Sequence, residues 1–338
     1  MKINARRLAV APMVDWTDRH CRFFHRLLSK RSWLYTAMVT TGALTHGDVP
    51  RHLDYNAEEH PVALQLGGSE PADLAKAARI GERWCYDEIN LNCGCPSERV
   101  QRGVFGACLM AEPDLVADCV KAMRDAVDLP VTVKHRIGID AIEDYGFVRD
   151  FVGKVAQAGC TTFIAHARKA VLKGLSPKQN REIPPLKYDY VLRLKHDFPQ
   201  LEILINGGVA DWPMAMSLLE KLDGVMVGRH AYHQPYWLAH ADANAYGEGS
   251  VEDAPSAEQV EAAMMEYAIA QVEKGTYLGA VTRHMLGLHH AKPGARLWRR
   301  MMSDPKLLGA ARDAAGVRTV FEQAASCLAV PAVEAVQD

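Results

Sequence analysis

The feature that most restricts the fold of this chain is a pattern repeated eight times. Short runs rich in β-formers stand at 8–11, 34–39, 62–66, 88–92, 131–136, 162–166, 202–206 and 224–227, with helical patterns between them. Several runs are continuously apolar rather than alternating, as strands of a parallel sheet buried on both faces are. Leu74, Ala75, Ala78 and Ile80 fall at helical spacing over 72–84, and Val116, Val120 and Met123 do so over 114–126. Asp128-Leu129-Pro130 and Phe198-Pro199 are the punctuation that ends a helix ahead of a strand. Eight strand–helix units over about 240 residues are the arithmetic of a (β/α)8 TIM barrel, with a doubly wound open sheet as the alternative α/β architecture.

After Tyr246 the pattern changes. Residues 247–256 are polar and glycine-containing, and Ser256 ahead of Ala257 and Glu258 reads as a helix start. From there to 328 the spacing is helical and no strand pattern recurs. The expected organisation is a catalytic barrel over 1–245 and an all-helical domain over 250–330, with a loosely ordered tail at 330–338. The formal net charge is −2, so no overall basic field advertises a nucleic-acid partner, and such a partner would need a local patch. The N-terminus lacks an apolar run of signal-peptide length, and no segment approaches the roughly 20 apolar residues of a membrane span. A cytoplasmic monomer without a membrane contact is expected. The eight cysteines have no C-x-x-C pairing, so neither a metal site nor a disulfide framework is expected.

In a barrel of this kind the chemistry sits where strands end. The first run ends in Pro12, Met13 and Val14, the third in Gln65 followed by Gly67 and Gly68, and the fourth in Asn90, Asn92 and Cys95. The fifth supplies Lys134 and Arg136, the sixth His166 and Arg168, the seventh Asn206, Gly207 and Gly208, the eighth Gly228 and Arg229. Packing alone does not explain so many polar and glycine residues in register. Paired glycines let backbone N–H groups approach an anion, and an arginine adds fixed charge, so Gly207, Gly208, Gly228 and Arg229 suggest a phosphate-bearing ligand. Two ordinary tight turns are the plainer alternative. Lys134 suits either a Schiff base or the ring of a flavin or nucleotide. Gln65 tips that choice, since a flavin needs polar partners along its pyrimidine edge and an aldolase does not.

The stretch E-I-N-L-N-C-G-C-P at 88–96 reads as a short buried strand broken by Gly94 and Pro96. Its thiols are open to two readings, a packed cysteine and a reactive one held at a site.

These residues resemble a known family. A-P-M-V-D-W-T-D-R-H-C-R at 11–22, T-T-G-A at 40–43, H-P-V-A-L-Q-L-G-G at 60–68 and E-I-N-L-N-C-G-C-P-S at 88–97 are similar to the tRNA-dihydrouridine synthases. So are F-G-A-C-L-M at 105–110, V-T-V-K-H-R-I-G-I-D at 131–140, H-A-R-K-A at 166–170 and L-S-P-K-Q-N-R-E-I-P-P-L at 175–186. I-N-G-G at 205–208, D-G-V-M-V-G-R at 223–229 and P-G-A-R-L-W-R-R at 293–300 extend the likeness over nearly the whole chain, toward the A-type branch. The resemblance implies reduction of uridines 20 and 20a of the tRNA D-loop with FMN, NADPH being the reductant. It implies Cys95 as proton donor and Pro12, Met13, Val14, Gln65, Lys134, His166, Asn206, Gly207, Gly208, Gly228 and Arg229 as FMN contacts. Asn92, Lys178, Arg181, Arg296 and Arg299 take the tRNA-contacting positions. Three residues depart from the pattern: Cys93 stands where a small apolar residue is usual, Ala37 where an acid is expected, and His135 where threonine is common. Strand alternation turns His135 away from Lys134, toward the outside of the barrel.

The chemistry agrees with these roles. Reducing the uracil C5–C6 bond needs a hydride at C6 and a proton at C5, and an ordinary thiol, with pKa about 8.5, still carries its proton near neutrality where a carboxylic acid has lost it. Asn90 and Asn92 are expected to hydrogen-bond the uracil edge. Arg296, Arg299 and Arg300 fall at i, i+3 and i+4 around Trp298, one helical face that could meet phosphates. Two alternatives stand beside this reading: a flavin barrel acting on a free pyrimidine or other small molecule, and a tRNA-binding protein without catalysis.

Overall fold

The computed structural model describes residues 4–97 and 105–328, so the expected loose tail lies outside the described residues. Among the described residues nine parallel strands are seen: β1 (Leu8–Val10), β2 (Leu34–Tyr35), β3 (Val39–Thr40), β4 (Val62–Gly67), β5 (Glu88–Cys93), β6 (Val131–Arg136), β7 (Thr162–His166), β8 (Glu202–Asn206) and β9 (Gly224–Val227). Their order is β1-β9-β8-β7-β6-β5-β4-β2, with β3 also on β4. A parallel bridge between Ala9 and Trp33 joins the two ends, so the sheet closes into a barrel. Helices alternate with the strands, as in Pro71–Arg83 after β4 and Pro113–Arg124 after β5. The TIM-barrel reading holds and the open doubly wound sheet does not.

One expected strand is divided. The run at 34–39 becomes β2 and β3, because four steps from Tyr35 to Val39 oppose three from Ala63 to Leu66. The extra residue makes a bulge, and the Thr36 hydroxyl accepts the Gln65 N–H at 3.0 Å within it. Together β2 and β3 fill one of eight barrel positions.

Inward-facing residues form distinct layers. At the base, the fully buried Glu88 carboxylate takes Tyr35 Oη at 2.8 Å and Thr132 Oγ1 at 2.6 Å on one oxygen, and Arg6 Nε at 2.6 Å on the other. Burial opposes charge on Arg6, but Glu88 and Glu202 outweigh it and hold the guanidinium's pKa above its ordinary value. Above lies an apolar layer that includes Ala9, Tyr35, Ala63, Ile164, Leu204 and Met226. Two-residue alternation then brings Gln65, His166 and Asn206 to the mouth.

The described chain divides into two compact units. The barrel comprises residues 4–19 and 31–228; the second comprises 20–30 and 229–328. This second unit therefore begins before the composition change at Tyr246 and also takes an early helical segment. Within it, Phe23 stacks on Tyr267 with ring centroids 3.9 Å apart, and Asp242 accepts from Ser29 Oγ at 2.6 Å and Lys30 N at 2.8 Å. Its longest helix, Ala257–Glu273, starts where Ser256 predicts: Ser256 and Gln259 form a reciprocal capping box.

Candidate active site

Adjacent strands β4, β5 and β6 place Gln65, Asn90 and Thr132 side by side, with Asn92 beside Lys134 one step higher. These side chains form one hydrogen-bonded line. Asn92 Nδ2 donates to Gln65 Oε1 at 2.8 Å, Gln65 Nε2 to Asn90 Oδ1 at 2.7 Å, and Asn90 Nδ2 to Thr132 Oγ1 at 2.7 Å. At the rim, Asn92 Oδ1 accepts the backbone N–H groups of Gly94 at 3.0 Å and Cys95 at 2.9 Å. The expectation that Asn90 meets the uracil edge is corrected here: Asn90 is fully buried, and its amide is spent on Gln65 and Thr132. Asn92 stays at the mouth, 9% exposed, but its amide holds the turn that carries Cys95.

The two thiols near this turn have separate fates. Cys93 is fully buried, in register with His135 and beside Cys119, Cys160 and Cys108; burial pushes its thiol well above the ordinary pKa. His135 packs on Phe151 and Phe163, with ring centroids 5.4 and 6.0 Å away, outside the barrel as alternation requires. Cys95 is half-buried, its Sγ is 3.4 Å from Ser97 Oγ, and its carbonyl accepts from Ala107 N at 2.9 Å. It lies close enough to Lys134 and Arg136 to act electrostatically on both. Ala37, the third departure, donates its N–H to Thr17 O at 3.3 Å, joining β2–β3 to the loop after β1.

The mouth is electropositive. Lys134 Nζ reaches across the barrel to Asn206 Oδ1 at 3.1 Å, and Asn206 Nδ2 donates to Met226 O at 2.8 Å. Burial first, and Arg136 second, lower the Lys134 pKa to about 7. Arg136, 3% exposed, donates to the carbonyls of Gly94 at 3.1 Å, Lys169 at 3.2 Å and Asn180 at 3.0 Å; burial brings its pKa down to about 10. The hydrogen bonds of Lys134 and Arg136 meet amide oxygens and no carboxylate. His166, buried and facing Arg136, Lys134, Arg168 and Arg181, is held well below its ordinary pKa and is therefore neutral. Such a basin suits an anion. Arg136 stands at a strand end, but its three carbonyl partners come from distant segments, so no local pattern in the sequence reveals its role.

Gly207 and Gly208 follow β8 with φ of +115° and +77°, and a Cβ on Gly207 would lie 2.8 Å from His166 Cδ2. Tyr188 Oη donates to Gly207 O at 2.6 Å and braces the turn. Gly228 differs: a Cβ there would have 3.5 Å to Ala11 and 3.7 Å to Met13 Sδ, ordinary contact. Pro12, Met13 and Val14 form the loop after β1, where Met13 N donates to Thr17 Oγ1 at 2.9 Å and Val14 is 60% exposed. Arg229 opens the short helix Arg229–His233 of the second unit.

The expected RNA contacts fall on two surfaces. Lys178 is exposed and Arg181 half-buried on a loop pinned by the fully buried Asn180, whose Nδ2 donates to Val171 O at 2.9 Å and Leu175 O at 3.2 Å. Arg168 donates to Pro184 O in the same loop. In the second unit, Arg296, Arg299 and Arg300 are exposed on the helix Ala295–Met301. Trp298 does not share that surface: it is fully buried, its Nε1 donating to Glu261 Oε1 at 2.7 Å while Glu261 Oε2 meets His289 Nε2 at 2.7 Å. Among the described residues no cluster suited to a metal ion is present, and no helix is long and apolar enough to cross a membrane.

Comparison with known proteins agrees with this arrangement. Residues 9–325 match the family model described as dihydrouridine synthase (Dus). A tRNA-dihydrouridine(20/20a) synthase of Pseudomonas putida is 56% identical over 326 residues, 96% of this chain and 94% of that protein. Proteins of the same name from Vibrio cholerae and Escherichia coli K12 are 57% and 58% identical, over 94% and 88% of this chain and 95% and 86% of theirs. A solved 2-naphthoyl-CoA reductase in complex with 2-naphthoyl-CoA shares the fold, with a TM-score of 0.56 at 12% identity over 75% of this chain and 52% of that one. With the family model spanning both units and relatives above half identical over nearly full length, this chain is an oxidoreductase that belongs to the dihydrouridine synthase family.

Proposed function

We propose that this protein reduces the C5–C6 bond of uridines 20 and 20a in the tRNA D-loop, with FMN as cofactor and NADPH as reductant. The observation that carries the proposal is Cys95 presented by Asn92 at the rim of a cationic barrel mouth beside Lys134. Lys134 suits the pyrimidine edge of a flavin, and the left-handed Gly207–Gly208 turn suits its phosphate. Gln65, whose amide already bonds Asn90 and Asn92, is assigned to the same edge through the amide hydrogen those bonds leave over. Pro12, Met13, Val14, His166, Asn206 and Gly228 complete the barrel's share, and Arg229 is assigned to the phosphate. Bound FMN supplies the hydride for uracil C6.

The chain's own residues do the rest. Cys95 Sγ gives a proton to C5, and Asn92 fixes the backbone that aims it. Lys134, poised to change charge near pH 7, answers negative charge developing in the mouth. The target base must leave its stack to enter. Lys178, Arg181, Arg296 and Arg299 are assigned to phosphate and sugar contacts, which hold the RNA in register without reading sequence. We assign the catalytic role to the barrel and the tRNA contacts to Lys178 and Arg181 of the barrel as well as Arg296 and Arg299 of the helical unit, in a cytoplasmic monomer. The test is dihydrouridine mapping of tRNA from a deletion strain, with the purified FMN-loaded protein and NADPH assayed on intact tRNA and on free uridine. Loss of dihydrouridine at 20 and 20a, and turnover on tRNA alone, is expected. Unchanged modification in a strain lacking other synthases, or equal turnover on free uridine, overturns the proposal.

A further inference from the structure

We infer that Glu88, at the closed base of the barrel, is a positioning residue that sets the direction of every side-chain amide up to the Cys95 turn. The argument rests on which atoms can donate. A carboxylate only accepts, so Thr132 must donate its hydroxyl proton to Glu88 Oε1 at 2.6 Å and is left accepting from Asn90 Nδ2. Asn90 then offers its oxygen to Gln65 Nε2, and Gln65 its oxygen to Asn92 Nδ2. At the far end the same direction is forced independently. Backbone N–H groups only donate, so Gly94 and Cys95 require the oxygen of Asn92, which turns Asn92 Nδ2 toward Gln65. Both fixed ends agree, and every donor in the line points toward Glu88. Asn90, Gln65, Thr132 and Glu88 are each no more than 1% exposed, so water cannot reset an amide that flips.

Glu88→Gln keeps shape and removes the agreement. If the new Oε1 keeps Thr132 and Tyr35, its Nε2 faces Arg6 Nε, donor against donor. If the new amide turns over, its Nε2 meets Thr132 Oγ1 and the Thr132 hydroxyl proton loses its acceptor. Thr132 then either goes on accepting from Asn90 with a buried hydroxyl proton unpaired, or donates to a turned Asn90 and passes the turn up through Gln65 to Asn92. In the molecules that take the second course, the Cys95 turn loses its acceptor. Removing Arg6 as well, as Arg6→Met with Glu88→Gln, lifts the conflict at the base and restores a single direction.

This inference rests on the proposed FMN and Cys95 chemistry, so the wild-type FMN-loaded protein is first required to turn over on tRNA, and failure there counts against that chemistry rather than against Glu88. Steady-state kcat and tRNA KM, and the FMN dissociation constant by fluorescence titration of apoprotein, are then measured for E88Q and R6M/E88Q well below their melting temperatures. E88Q is expected to lose about 2- to 5-fold in kcat with an unchanged tRNA KM, and to bind FMN about 2- to 5-fold more weakly, in proportion to the molecules whose Gln65 and Asn92 are turned. R6M/E88Q is expected to recover most of both. Should E88Q fail to fold, T132V and T132S take its place: valine cuts the line and lowers kcat, and serine keeps it. Wild-type kcat and FMN affinity in folded E88Q, equal damage in E88Q and R6M/E88Q, or T132V matching T132S overturns the inference.

Discussion

Lys134 offers the most direct test of the barrel mouth's electrostatics. Burial, with Arg136 adding to it, lowers its pKa from 10.5 to about 7. Between those values the unfolded lysine carries a proton that the folded one lacks. Stability must then rise with pH through that window, because the unfolded state binds more protons there. The slope approaches 1.4 kcal/mol per pH unit, and integration from pH 7 to pH 9 gives a gain of about 2 kcal/mol. Lys134→Met removes the charge, keeps most of the stem, and removes this term. Urea unfolding of wild-type and K134M apoprotein at pH 7, 8 and 9 reads it as a difference in which the titration of cysteines and tyrosines cancels. The wild type is expected to gain about 2 kcal/mol on K134M across the series. A difference flat to within about 0.5 kcal/mol would show Lys134 fully charged in the folded barrel, and the reasoning would fail.

Other substitutions separate the roles of neighbouring residues. Cys95→Ala should bind tRNA and FMN in gel-shift and fluorescence assays yet lose turnover, whereas Cys93→Ala should turn over normally and melt lower, by about 1 kcal/mol for a small buried cavity. Gly207→Ala forces a side chain into a left-handed backbone against His166, so calorimetry should show a loss of about 1–3 kcal/mol, while Gly228→Ala stays close to the wild type. Arg296→Ala and Arg299→Ala should each weaken tRNA binding and flatten its salt dependence by about one ion per arginine, without moving the FMN dissociation constant.

Much of this site was legible because barrels put their chemistry where strands end. Gln65, His166 and Asn206 are each the last polar residue of an apolar run and Lys134 stands two residues before the end of its own, and β4, β6, β7 and β8 deliver them to one mouth. What could not be read was depth and partnership. Asn90 and Asn92 share a strand face and differ by one step, yet the lower one is sealed by Gln65 and Thr132 and the upper one reaches the rim. Trp298 among exposed arginines looked like part of an RNA surface; its partner Glu261 lies 37 residues earlier, and only the folded helices bring them together. The bulge at Thr36 and the assignment of 20–30 to the helical unit are likewise decided by long-range contacts that no local window contains.

The two thiols show where alternation stops being a guide. Positions 93 and 95 have the same parity, so a continued strand would send both toward the helices outside the barrel. Cys93 obeys, in register with His135 and among other buried thiols. Cys95 does not, because the strand ends at Cys93 and Asn92 Oδ1 captures the next two backbone N–H groups. That capture bends the chain over the mouth, where Arg136 Nε holds the Gly94 carbonyl at 3.1 Å. A Cβ at Gly94 would stand 3.5–3.6 Å from atoms of His135 and Lys134, ordinary contact, so the bend rests on the Asn92 and Arg136 bonds rather than on the glycine. The difference between an inert thiol and the proposed acid therefore comes from the residue before both, whose amide is held in one direction by the backbone it captures and by Gln65 below it.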